Sequence, residues 1–224
     1  MTMIAHDFIS EARGMIFDLD GVIVDTAKYH YLAWKRLAEE LGFAFSETDN
    51  ERLKGVSRMR SLDILLKIGG MVFDDDARRR LAEKKNLWYV EYISRMDKSE
   101  ILPGAGDYLG YLRGRGKRIA LGSASKNAPM ILERLGIAPL FDAVIDGNKV
   151  ANAKPDPEVF LTAARALALD PSECVVFEDA GAGVEAAVRA GMRVVGIGDP
   201  AVLNSANCVV GGLDALLPKN LHNK

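Results

Sequence analysis

Short apolar runs that alternate with stretches of helical periodicity constrain this chain more than any other feature. The runs are Met15–Leu19, Arg118–Gly122, Ala143–Asp146, Cys174–Phe177 and Arg193–Ile197, with helical patterns around Asp107–Arg113, Asn127–Leu135, Glu158–Leu167 and Gly183–Ala190. Such alternation predicts an α/β core in which crossover helices link parallel strands. Polar residues stand at or just past most run ends: Asp18, Ser123, Asp146, Glu178 and Asp199. In an open parallel sheet the carboxyl ends of the strands border the ligand crevice, so these side chains are expected to meet there.

The alternation fails between about Lys28 and Lys98, where the pattern is helical throughout. Ala33, Trp34, Leu37, Ala38 and Leu41 make one apolar stripe, and Ala77, Leu81, Trp88 and Tyr92 make another behind the acidic start Asp74-Asp75-Asp76. An inserted helical cap is predicted over 28–98, with 1–27 and 99–224 forming the core. The two connections lie next to Asp18-Leu-Asp20 and to Ile101-Leu-Pro-Gly104, a plausible hinge for a lid that excludes water.

Asp18 and Asp20 are two residues apart, about 7 Å in an extended chain and on the same side of it. Strand ends commonly carry Asp for turns, and the pair alone does not choose between that and chemistry. Glu178-Asp179 end another run just before a helix, where Asp179 could serve as an N-cap. Ser123 or Ser125 could likewise cap the helix after them, while free N–H groups at such a start also bind phosphate oxygens. Lys154 precedes Pro155-Asp156-Pro157, where Asp156 suits a cap and Pro157 a helix start.

Composition excludes several classes. A formal charge of −2 over 224 residues gives no broad electrostatic reason to expect nucleic acid or an anionic membrane as partner. No run is long and apolar enough to span a bilayer, and residues 1–13 do not read as a signal peptide. Cys174 and Cys208 each open an apolar run that reads as a strand, Cys174-Val-Val-Phe177 and Cys208-Val-Val210, which suits reduced thiols, so a cytoplasmic protein is expected. The tail from Pro218 to Lys224 is polar and expected to fray.

Taken in order, Asp18-Leu-Asp20-Gly21-Val22, Ser123-Ala-Ser125-Lys126-Asn127, Lys154-Pro155 and Glu178-Asp179 resemble the motifs of the haloacid dehalogenase superfamily of phosphotransferases. Asp25-Thr26-Ala27-x-Tyr29-His30-x-x-Ala33-Trp34 and Leu53-Lys54-Gly55-Val56-Ser57-Arg58 resemble its beta-phosphoglucomutase branch. The resemblance implies a Rossmann-like core in which Asp18 becomes an aspartyl phosphate and Asp20 is the general acid and base. It implies one Mg²⁺ held by Asp18, the carbonyl of Asp20 and Asp179, with Glu178 on the cation or one contact removed. Ser123, Ala124 and Lys154 would hold the transferring phosphoryl group. Arg58, with Ser125, Lys126 and Asn127, would hold a second phosphate, a guanidinium fork being suited to that task.

By the same resemblance Gly55, Lys85 and Asn86 contact substrate, although a Lys-Lys-Asn run is usually a solvated face. His30 would meet Asp20 or the sugar, or cap local structure, and Thr26 would couple closure to Asp20. The implied activity interconverts beta-D-glucose 1-phosphate and 6-phosphate, with beta-glucose 1,6-bisphosphate as intermediate and primer, in a monomer acting on a phosphorylated hexose. A sugar-phosphate phosphatase of the superfamily is the alternative. A non-catalytic phosphosugar-binding protein would be expected to have lost Asp18, Asp20 or Asp179, and all three are present.

Overall fold

Both faces of the sheet are apolar, which is why its strands need helices on each side. In the computed structural model, which describes residues 2–53 and 56–218, six strands form one wholly parallel sheet. They are β1 (Gly14–Phe17), β2 (Arg118–Gly122), β3 (Ala143–Ile145), β4 (Cys174–Glu178), β5 (Arg193–Ile197) and β6 (Cys208–Val210), in the spatial order 3-2-1-4-5-6. That is the Rossmann order, and its chain reversal falls between β1 and β4, beside Asp18 and Glu178.

Successive residues of each strand feed opposite cores. Met15 and Phe17, Val175 and Phe177, and Ile119 and Leu121 pack with α1 (Thr2–Glu11), α6 (Ala105–Gly114) and α7 (Ala128–Leu135). Ile16, Ala120 and Val176 pack on the other face with α8 (Glu158–Ala166) and α9 (Gly181–Arg189). Helix α1 has no counterpart among the predicted elements; Phe8 and Ile9 on it, and Ala12 just after it, are buried against the sheet.

Four helices fill the predicted insertion: α2 (Ala27–Glu40), α3 (Glu47–Glu51), α4 (Arg58–Ile68) and α5 (Asp75–Ile93). Their own core includes Trp34, Leu37, Phe45, Leu62, Leu65 and Ala82. The α2 stripe packs as predicted. In α5 the buried line is Ala82, Lys85, Tyr89 and Ile93, one position round from the predicted stripe, with Leu81, Trp88 and Tyr92 on its flanks.

The two connections are tied together. Val24 bridges Ile101, Leu102 N–H donates to Ile23 at 2.9 Å, and Glu100 accepts from Tyr29 at 2.7 Å and from Lys28 at 2.5 Å. Both cysteines are free, Cys174 buried and Cys208 partly so. Among the described residues no helix is long and apolar enough to cross a membrane. Residues 219–224 of the tail lie outside the described residues.

Candidate active site

Strand β1 ends at Phe17, two residues before the predicted end, so Asp18 and Asp20 stand in the loop that leaves the sheet rather than on one face of a strand. Asp18 N–H still donates to Phe177 at 2.9 Å, which fixes it beside β4, and its side chain is buried. Asp20 turns toward the cap, where Thr26 Oγ1 donates to Asp20 Oδ1. Burial, reinforced by the charge of Asp18, pushes the Asp20 carboxyl up to about 7.

Lys154 reaches under this loop. Its ammonium donates to Asp18 Oδ1 at 2.7 Å and Glu178 Oε1 at 2.5 Å, and all three side chains are buried. Burial works against its charge, yet the two carboxylates raise Lys154 above the usual lysine range. Glu178 is raised too, burial outweighing its lysine partner. Asp156 Oδ1 accepts from Glu158 N–H at 2.9 Å and so helps open α8; the Lys154–Pro155 peptide is cis.

Asp179 does not cap α9; Ala180 holds the N-cap position, and its N–H donates to Glu178 Oε2 at 2.9 Å. The Asp179 carboxylate accepts no hydrogen bond from a described residue. Gly21, at φ +75°, lets it approach the Asp18–Asp20 loop, since a Cβ there would overlap the carboxylate. Gly183 does the same for Glu178.

Oxygens of Asp18, Glu178 and Asp179 lie within 4.8 Å of one another. Burial, then the charges of Glu178, Asp18 and Asp20, push Asp179 up to about 9. Four acids against one lysine is an excess of negative charge, and an all-oxygen donor set suits a hard divalent cation such as Mg²⁺.

The β2–α7 loop forms the wall opposite. Ser123 is buried, and its Oγ accepts from Ser125 N–H at 3.1 Å, while Ser125 Oγ accepts from Asn127 N–H at 3.3 Å. Neither serine is the helix cap; α7 begins at Ala128 with Asn127 before it. Backbone N–H groups of Ala124 and Lys126 donate to no described residue and remain available to an anion.

From the cap, α4 presents Arg58 at its first turn, and Ser57 Oγ accepts from Arg60 N–H at 3.3 Å. Arg58 is half-buried and makes no ion pair with a described residue; burial lowers its pKa. Lys85, expected on a solvated face, is only 2% exposed. Its Nζ lies 2.9 Å from His30 Nδ1 and over the rings of Trp34 (4.5 Å) and Tyr89 (4.6 Å). Burial and the nearby Arg58 charge lower its pKa well below normal, and burial with Lys85 and Arg58 does the same for His30. The neighbours the structure gives His30 are Lys85 and Tyr89. Asn127 Nδ2 donates to Asn86 Oδ1 at 3.0 Å, joining core to cap across the cleft.

All the site residues that the resemblance assigns, except Gly55, which lies outside the described residues, line one cavity of about 530 Å³. Asp146 and Asp199, two of the polar run ends expected to meet there, do not line it; they accept from Asn148 N–H and Ala201 N–H in their own loops. Sequence reasoning missed the cap's Asn50, Ser61 and Glu83 and the loop from Gly147 to Ala153, which also line it. It missed Tyr89 as well, behind the wall; the only signal was its i+4 spacing from Lys85.

A family model described as haloacid dehalogenase-like hydrolase matches residues 12–191, from just before β1 to the end of α9. The chain belongs to that family. It is 42% identical over 214 residues to a beta-phosphoglucomutase of Bacillus subtilis, covering 95% of each chain. The crystal structure of a beta-phosphoglucomutase from Clostridium difficile superposes with a TM-score of 0.88 at 42% identity, over 94% of this chain and 96% of that one. An Escherichia coli fructose-1-phosphate phosphatase is 33% identical over 186 residues, 82% of this chain and 95% of its own. The chain is thus an enzyme of the superfamily, and its resemblance to the phosphoglucomutase branch extends through core and cap.

Proposed function

We propose that the chain is a Mg²⁺-dependent beta-phosphoglucomutase that interconverts beta-D-glucose 1-phosphate and beta-D-glucose 6-phosphate by way of beta-glucose 1,6-bisphosphate. The observation that carries this reading is that one cavity has two cationic poles on different parts of the chain. Lys154 stands beside Asp18 on the core, and Arg58, without an ion-pair partner among the described residues, stands on the cap. A phosphatase has to hold one phosphate, whereas a bisphosphate intermediate requires a second site.

On this reading residues 28–98 are the cap and the remainder the catalytic core. Asp18 attacks phosphorus and carries the phosphoryl group as a mixed anhydride, freeing the sugar oxygen. Asp20, raised to about 7, gives that oxygen its proton and later takes one from the accepting hydroxyl; near neutrality it populates both states. Lys154 holds Asp18 in line and offsets the charge of the transferring group. The Ser123 hydroxyl and the Ala124 N–H take its oxygens. Asp18, Asp179 and the backbone carbonyl of Asp20, with Glu178 on the cation or one contact removed, would hold Mg²⁺, which would supply neutralising charge between two anions. Arg58, Ser125, Lys126 and Asn127 take the other phosphate, and Gly55, His30, Lys85 and Asn86 the sugar.

The coupled assay that tests this offers beta- or alpha-glucose 1-phosphate with Mg²⁺ and a trace of bisphosphate primer. It follows glucose 6-phosphate and free phosphate separately. Glucose 6-phosphate from the beta anomer is expected; release of free phosphate alone would select the phosphatase reading, which the Escherichia coli relative keeps in view.

A further inference from the structure

Tyr89 is fully buried on the cap helix α5, yet its hydroxyl has no hydrogen-bond partner among the described residues. A buried hydroxyl is costly unless some state of the protein satisfies it. The His30 ring at 4.1 Å and the Lys85 ammonium at 4.6 Å, themselves in contact at 2.9 Å, both pack against the Tyr89 ring. Its neighbours at the tip are Thr26, Ser125 and Asp20. Thr26 is itself fully buried and spends its proton on Asp20, which leaves its oxygen able to accept.

We infer that Tyr89 is a positioning residue for Asp20: with the cap down, its hydroxyl donates to Thr26 Oγ1 and locks Thr26 in the orientation from which it donates to Asp20. Burial and the charge of Asp20 raise the phenol above its usual range, so it keeps its proton throughout and acts only as a donor. Tyr89 rides on the cap while Asp20 and Ser125 belong to the core, so the chain Tyr89–Thr26–Asp20 is complete only when the cleft is shut. Asp20 is thereby aligned for a sugar hydroxyl in the closed cleft and left loosely held when water has access. This inference rests on the mutase reading.

The test is Tyr89→Phe, which retains the ring and its packing. Three readouts are needed: kcat and KM for isomerisation, the partition of the phosphoenzyme between sugar phosphate and water, and the melting temperature. The expected result is a fall in kcat of about tenfold with KM within about twofold, and a severalfold larger share passed to water. Melting should stay near wild type. In a Thr26→Val background the same substitution should cost less than about twofold, because the relay is already broken.

Wild-type partition in Tyr89→Phe, with or without a change in melting temperature, overturns the inference. So does an equal loss in the Thr26→Val background. If wild-type phosphoenzyme passes its phosphoryl group only to water, the mutase reading fails and the relay is judged on hydrolytic kcat. There, the tenfold loss and its non-additivity with Thr26→Val support it, and their absence overturns it.

Discussion

Replacing Lys154 by Met removes one charge from a buried cluster and keeps most of the side chain's volume. Nζ lies 2.7 Å from Asp18 and 2.5 Å from Glu178; Asp18 opens only on the site cavity and Glu178 is almost wholly buried, so Glu178 above all is left without a partner when the ammonium is gone. Breaking a buried pair by removing one partner costs about 3–5 kcal/mol, because the remaining charge is stranded. A chain of this size loses about 2–4 °C of melting temperature per kcal/mol, so scanning calorimetry in chelator should show a fall of roughly 6–20 °C. The comparison is Asp76→Ala, which removes an exposed partner of Arg79; that pair is worth about 0–1 kcal/mol and should shift melting by only a few degrees. Turnover of Lys154→Met with saturating Mg²⁺ should drop at least about 100-fold, the scale set by losing one preorganised charge at a transferring group. A melting temperature within 2–3 °C of wild type, or turnover within about threefold of it, would refute the claim that Lys154 balances this cluster.

Arg58→Ala should lower isomerisation by about 100-fold or more while hydrolysis of a small phosphate ester falls by less than about fivefold; equal losses would mean that Arg58 serves cap packing instead. In Asp18→Asn no acid-stable phosphoryl label should remain on the quenched protein, although its circular dichroism matches wild type; normal turnover would contradict the assignment of the nucleophile. The pH dependence has a defined sign. Asp179 keeps its proton up to about 9 in the fold but loses it near 4 when unfolded, so unfolding releases a proton between those values. The metal-free protein should therefore lose stability as pH rises from about 4 to 9, and saturating Mg²⁺, which displaces that proton, should flatten the curve. Stability rising with pH across that window in chelator would be inconsistent with a proton on Asp179.

The inner strands β1, β2, β4 and β5 were legible because they are buried along most of their length and read as short continuous apolar runs between polar ends, while the edge strands β3 and β6 are only partly buried. Crossover helices α6 to α9 followed for the same reason. Helix α1 was not among the predicted elements; Phe8 and Ile9, with Ala12 after it, pack it on the sheet. Asp18, Ser123 and Glu178 could be named in advance because the fold sends strand ends to one edge; Asp20, Lys154 and Asp179 were named by the motifs they share with the superfamily. Their partners could not be named. That Lys154 bridges Asp18 and Glu178 depends on two close approaches far apart in sequence. Lys85 was the hardest case, since a lysine in a charged helical run reads as solvated; only the rings of Trp34 and Tyr89 and the His30 nitrogen, brought together by the packing of α2 on α5, make its burial tolerable. The same packing moved the buried line of α5 by one residue and carried Tyr89 behind the site's wall.

The most direct test of two phosphate poles served by one carboxylate nucleophile is a single turnover. Protein carrying a labelled phosphoryl group on Asp18 is mixed with beta-glucose 6-phosphate and Mg²⁺, quenched at intervals, and the label is followed. The label is predicted to appear first at C1 of glucose 1,6-bisphosphate and then in glucose 1-phosphate, with little free phosphate. Label passing straight to inorganic phosphate, at the same rate with and without the sugar, would contradict it.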